Sequence, residues 1–76
     1  MYAKGDYLKV EFRDGQSAGS EWMWVRVESD NPALRVVFGT LDGEPIVCTG
    51  LRLGQQLAVS YDNIRDHRTP ASFKPI

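Results

Sequence analysis

The residues that could do covalent or metal chemistry in this chain are few. There is one cysteine, Cys48, and one histidine, His67. A structural zinc site takes about four thiolate or imidazole ligands, so these two cannot build one. The chain carries no EF-hand loop, no phosphate loop and no dinucleotide fingerprint. A Cys–His nucleophilic pair needs only that the two meet in space. Cys48, however, stands close to Ile46 in a strand-like run, where cysteine serves as a small apolar filler. Asp66-His67-Arg68 has the composition of an acid–base cluster. On a short exposed turn it reads as solvated charge with a local ion pair worth under about 1 kcal/mol. No two carboxylates have a spacing suited to hydrolysis. A chain of 76 residues also leaves little room for a pocket of the usual few hundred Å³. The expectation is a protein that is not an enzyme and needs no metal or cofactor.

The other chemistry in the sequence is recognition. Glu21-Trp22-Met23-Trp24-Val25-Arg26-Val27 carries both tryptophans. Side chains alternate across a strand. Met23, Val25 and Val27 therefore share an apolar face with Glu21, while Trp22, Trp24, Arg26 and Glu28 share the other. A tryptophan buries on the order of 200 Å² when covered. Two of them on a partly charged face have two explanations. A loop, the C-terminal tail or barrel closure covers them, or they form a binding platform. Tryptophan and arginine dominate interaction hot spots, and Arg35 could come alongside from a neighbouring strand. Trp22, Trp24, Arg26 and Arg35 are the candidate binding residues.

The elements that must position them are short strands. Tyr7 to Arg13 alternates, with Leu8, Val10 and Phe12 on the core side. Asp14-Gly15 stops it, and Gln16 to Ser20 is a small polar loop into the tryptophan strand. Ser29-Asp30-Asn31-Pro32 signals the next turn. A third strand is expected over Leu34 to Leu41, apolar on both faces. Gly39 within it suggests a bend, a bulge or the close approach of a neighbour such as a tryptophan. Asp42-Gly43 should turn the chain into a fourth strand, Glu44 to Cys48, with Pro45 near its start or on an edge. Leu51-Arg52-Leu53-Gly54 is a connector whose leucines plug one end of the core. Gln55 to Ser60 is a fifth strand, with Leu57 and Val59 inward. Ser60 then caps a short helical turn over Tyr61 to His67, anchored by Ile64. The fold expected is mostly β: a small five-stranded SH3-like barrel or a strongly bent antiparallel sheet, with one short helical turn near the C-terminus. It comprises a single domain over residues 1–68 and a tail over 69–76.

Composition agrees with a globular chain, 42% apolar and 25% charged. The formal net charge of −1 argues against a dedicated duplex-DNA binder, which is usually basic. A lone cysteine allows no intramolecular disulfide and fits a reducing compartment. The polar N-terminus lacks a signal core, and no apolar run reaches the roughly 18 residues of a membrane span. A cytoplasmic, soluble protein without membrane association is expected.

Four segments in order carry a family resemblance. They are Glu21-Trp22-Met23-Trp24-Val25, Phe38-Gly39-Thr40-Leu41-Asp42, Leu51-Arg52-Leu53-Gly54 and Ser60-Tyr61-Asp62-Asn63-Ile64-Arg65-Asp66. Together they resemble a family of small bacterial proteins of unknown function, over residues 5 to 68. Gln55 stands after Gly54 where that pattern has Asp. The resemblance implies a bacterial source and one compact β-rich domain, and no activity.

Two functions from different classes are open to such a chain. The first is a non-catalytic protein-interaction module, such as an adaptor, an inhibitor, or an immunity or phage-related accessory protein. It would use an aromatic and arginine face to hold an unidentified protein partner. The second is a single-stranded nucleic-acid-binding small barrel, with bases stacked on Trp24 and phosphates on Arg26. Glu21, Glu28, Asp30, Asp42 and Glu44 dilute any basic stripe and weigh against it. A homodimer through the aromatic face stands beside both, and one that buried both tryptophans would remove the main reason for a ligand site.

Overall fold

Alternation decides the first two strands. In the computed structural model, which describes residues 2–13, 20–43 and 51–71, β1 spans Tyr7–Arg13 and β2 spans Ser20–Asn31. They form an antiparallel hairpin in which Leu8 faces Val25 and Val10 faces Met23. Leu8, Val10, Met23, Val25 and Val27 are all buried. The inward faces are those the alternation assigns, and Phe12 packs partly buried against them.

β2 runs further than its turn signal suggests. Ser29, Asp30 and Asn31 pair with Phe38, Val37 and Val36 of β3 (Val36–Leu41), and the turn lies at Pro32–Arg35. Leu34 and Arg35 therefore belong to the turn and not to the third strand. Leu34 is exposed, and Arg35 takes a left-handed φ of 55°. Val37 and Leu41 face the core.

The register between β2 and β3 shifts between Val27 and Ser29. Gly39 lies at this bulge. A Cβ there would stand 2.5 Å from the Arg26 carbonyl oxygen and 2.7 Å from Val25 Cγ1. Glycine is required because the β2 backbone passes too close for any side chain. The bulge and the close approach are as expected, but the neighbour is the backbone of β2 and not a tryptophan.

β4 covers Gln56–Ser60 and pairs with β3, with Val59 buried and Leu57 half-buried against the core. Ser60 caps the turn after β4, its hydroxyl accepting the Asp62 N–H at 3.2 Å. The helical stretch is much shorter than Tyr61 to His67. It is a single 3-10 turn, Tyr61–Asn63, after which the chain extends as β5, Ile64–Arg68. Ile-Arg-Asp-His-Arg offers one apolar anchor and no helical stripe. Its backbone groups are better satisfied by pairing with β1, where Ile64 faces Val10 and His67 faces Leu8.

The strand order is β4-β3-β2-β1-β5 in one antiparallel sheet. Among the described residues β4 and β5 end the sheet and do not pair with each other, so this sheet is open and strongly bent, not closed into a barrel. Bulges at Val27/Ser29 and Lys9/Val10 bend it over one core cluster. Each fully buried Leu or Val there contributes about 1.5–3 kcal/mol. Leu51 packs partly against that cluster. Leu53 does not plug it, being 57% exposed. The fourth strand expected over Glu44 to Cys48, the loop over residues 14–19 and the tail beyond residue 71 lie outside the described residues. Among the described residues, no helix is long and apolar enough to cross a membrane.

Candidate functional site: the outward face of the tryptophan strand

One side of the sheet closes on the core, and the other carries Trp22, Trp24 and Arg26 in alternate positions of β2. Their cross-strand neighbours on β1 are Glu11, Lys9 and Tyr7. Trp22 is 53% exposed, Trp24 is half-buried and Arg26 is exposed. The Lys9 ammonium lies 6.0 Å from the Trp22 ring centre and 5.6 Å from that of Trp24. A cation at this distance from an indole is attracted by the ring quadrupole. Lys9 thus reaches both rings from β1. No loop among the described residues buries Trp22.

The charges around the rings are largely matched. Arg65 holds Glu11, with nitrogens 2.9 and 3.0 Å from Glu11 Oε1. Arg68 Nε donates to Asp66 Oδ2 at 3.1 Å. The Asp66 carboxyl is held below its usual range, first by the backbone N–H of His67 and then by Arg68. Glu28 accepts the Thr40 hydroxyl. Lys4, Lys9 and Arg26 form no ion pair among the described residues.

Beside Arg26 the surface opens into a cleft of about 390 Å³. Lys4, Arg26, Glu28, Thr40, Asp42 and Leu53 line it. β3 ends at its floor, where the Asp42 N–H donates to the Trp24 carbonyl at 2.9 Å and the Gly54 N–H to the Leu41 carbonyl at 2.8 Å. Gly54 takes a φ of 81°, which turns Leu53 outward as one wall. The tryptophans stand next to the cleft along β2 and do not line it. Past Glu28 the same face carries Phe38, 43% exposed.

Arg35 is not part of this face. Its turn lies at the far end of β2 from Trp22. There its guanidinium pairs with Asp62 at 3.1 Å and lies 5.3 Å from the Tyr61 ring centre. The structure brings Trp22, Trp24 and Arg26 together and separates Arg35 from them. Lys9, Lys4 and Leu53 belong with the three, although strand alternation alone marks none of them as a site residue. Only the register places Lys9 opposite Trp24, within reach of both rings.

A second polar cluster pins the N-terminal segment. The Gly5 N–H donates to the Val27 carbonyl and the Val27 N–H to the Asp6 carbonyl, both at 2.8 Å. Asp6 is buried at 7% exposure, and its carboxylate pairs with His67 Nε2 at 2.7 Å. That bond holds the Asp6 carboxyl below its usual range, against the upward push of burial. The Tyr2 ring packs edge-on against both Tyr61 and His67. Asp30 accepts the Tyr2 backbone N–H at 3.0 Å and the Tyr61 hydroxyl. These two bonds hold the Asp30 carboxyl down. Desolvation first, then Asp30, pushes the Tyr61 hydroxyl up to about 12.

His67 therefore meets Asp6, 61 positions away in sequence, and its backbone N–H donates to Asp66 Oδ1 at 2.8 Å. With one imidazole nitrogen held by a buried carboxylate and an aromatic edge on the ring, the pair works as a latch. Among the described residues, no group of three or more His, Cys, Asp or Glu could hold a metal ion. Cys48 lies outside the described residues.

A scan of protein-family models and searches of curated proteins and of solved structures found no match to this chain.

Proposed function

We propose that this protein is a non-catalytic protein-interaction module that docks its partner on the outward face of β2, through Trp22, Trp24 and Arg26. The observation that carries the reading is the exposure of Trp22, 53%, on a strand whose opposite face buries Met23, Val25 and Val27 in the core. Trp22 with the half-buried Trp24 beside it makes a contiguous apolar patch, and such a patch supports an interaction surface. Lys9 restrains the rings, which lowers the entropy lost when a partner orders them. Arg26 supplies a charged donor two positions along, and the cleft beside it gives a partner side chain somewhere to go. Arg35 is left out of the site, since Asp62 and Tyr61 hold it elsewhere.

In this reading the open sheet, with a 3-10 turn leading into a last strand that returns to β1, is an SH3-like module of a bacterial cytoplasmic protein. The adaptor, inhibitor and immunity or phage-related roles are all compatible with it. A single-stranded nucleic-acid binder would use the same rings. It is disfavoured by Glu28 and Asp42, which line the cleft without an ion-pair partner among the described residues and would meet a chain carrying one charge per residue.

The test is a tagged pull-down from bacterial lysate, with and without nuclease, using the wild type and Trp22→Ala. The proposal expects a protein that survives nuclease and is lost with Trp22→Ala. Capture that vanishes with nuclease, or that Trp22→Ala leaves unchanged, would overturn it.

A further inference from the structure

We infer that two copies of this chain join edge to edge through β4, antiparallel about a two-fold axis at Ala58. The inference does not rest on the docking face proposed above. The backbone is the first argument. The Leu41 N–H donates to the Gln55 carbonyl at 2.9 Å and the Tyr61 N–H to the Arg35 carbonyl at 3.0 Å, and Gly39 and Val37 face Leu57 and Val59 between them. Residues that exchange bonds alternate along an antiparallel ladder. Gln55, Leu57, Val59 and Tyr61 therefore bond to β3, while Gln56, Ala58 and Ser60 turn their N–H and carbonyl groups away from it. Among the described residues β4 ends the sheet, so these groups form an edge that another strand can pair.

Charge is the second argument, because the two edges of the sheet differ. β5 reads Ile-Arg-Asp-His-Arg. Centred on Asp66, a second copy would set carboxylate on carboxylate and Arg65 on His67. Charges of this kind blunt an edge. β4 reads Gln-Leu-Ala-Val-Ser, with neither charge nor proline. Centred on Ala58, a second copy sets Gln56 on Ser60, Leu57 on Val59 and Ala58 on itself. No like charges are opposed in β4, and the edge is complementary to itself, as a two-fold interface must be.

Phe38 is the third argument. It lies opposite Ala58 on β3, on the outward face, and is 43% exposed. Ala58 is itself exposed and too small to cover the ring. Across the axis one face then runs Phe38, Ala58, and the partner subunit's Ala58 and Phe38. A second copy brings a small residue to the seam, where both rings can close over it. The axis stands perpendicular to the sheet, so both β2 faces turn to the same side.

Sedimentation of the full chain over a range of concentrations tests this. The mass should rise from that of one chain towards that of two, and exchange of the Ala58 amide, read by NMR, should slow as it does. Ala58→Pro removes an N–H that takes no bond from β3, a position where an edge strand tolerates proline. It removes two bonds across the axis and should weaken the dimer about tenfold or more, with the circular dichroism of the folded chain kept. Ala58→Lys, which sets like charges on the axis from an exposed position, should do the same and stands in if the proline variant fails to fold.

A chain that stays monomeric at millimolar concentration would overturn the inference. So would a monomer whose Ala58 amide is already protected, which would assign the edge to the rest of this chain. A dimer that survives a folded Ala58→Pro or Ala58→Lys, or that Trp22→Ala abolishes, would place the interface elsewhere and overturn it too. None of these outcomes bears on whether the β2 face binds a partner.

Discussion

Gly39→Ala puts the β2–β3 geometry under a single methyl group. The new Cβ would stand 2.5 Å from the Arg26 carbonyl oxygen and 2.7 Å from Val25 Cγ1. Comfortable carbon contacts begin at about 3.5 Å, so the strands must open by close to 1 Å or the bulge must shift. Neither neighbour can yield cheaply. One is backbone, and the other belongs to a side chain with no exposure at all. Overpacking of this kind costs roughly 1–3 kcal/mol. Alanine recovers about 0.4–1 kcal/mol by restricting the unfolded chain. A net loss of about 1–2 kcal/mol remains, a fall in Tm of about 5–15 °C for a domain of this size. The assay is thermal unfolding by circular dichroism, with urea unfolding to check that the m-value is unchanged. Gly54→Ala is the control. Its Cβ would meet nothing within 4 Å, so its cost comes from the φ of 81° alone, on the order of 1 kcal/mol. A Gly39→Ala variant as stable as wild type would refute the close approach of β2 to β3.

Other outcomes rest on the same structure. Leu8→Ala removes a side chain with no exposure and should cost about 2–5 kcal/mol by urea unfolding. In so short a chain that approaches the whole stability. Asp6, Asp30 and Asp66 all have carboxyls held below their ordinary value of 3.8. Folded protein therefore binds fewer protons than unfolded protein near that pH. The stability they contribute is complete above about 3.8 and is lost as pH falls through the lower folded values. Asp6→Asn should lower stability at neutral pH by about 1.5–3 kcal/mol, the worth of a charged hydrogen bond. It should also flatten the acid limb of a stability–pH curve, and an unchanged limb would deny the latch. Arg35→Ala should leave partner binding unchanged, because its guanidinium is held at the Tyr61 end of the sheet.

Period-two alternation made the core of β1 and β2 legible, and with it the side of β2 on which both tryptophans lie. Gly39 was legible as a point of close approach because a glycine inside a strand has few other reasons to be there. Other features depend on contacts distant in sequence. Ser29-Asp30-Asn31 looks like a turn, yet β3 supplies partners that keep it extended. Ile64–Arg68 has one apolar residue and carries no periodic signal, and only the free edge of β1 makes it a strand. Asp6 and His67 meet because β5 returns beside β1. Arg35 reads as a neighbour of the tryptophans as long as its strand begins at Leu34. The left-handed turn at Arg35 takes it out of β3, and Asp62 and Tyr61 hold it at the far end. Lys9 reads as one more outward charge until the register places it opposite Trp24, within reach of both rings.

In the proposed function the outward face of β2 serves binding and not folding. Trp22→Ala, read by thermal unfolding and by partner binding on the same sample, separates the two. The expected result is a stability loss of no more than about 1 kcal/mol, as for an exposed position, together with loss of binding. A variant that unfolds like Leu8→Ala, or that stays folded and still binds its partner, would contradict it.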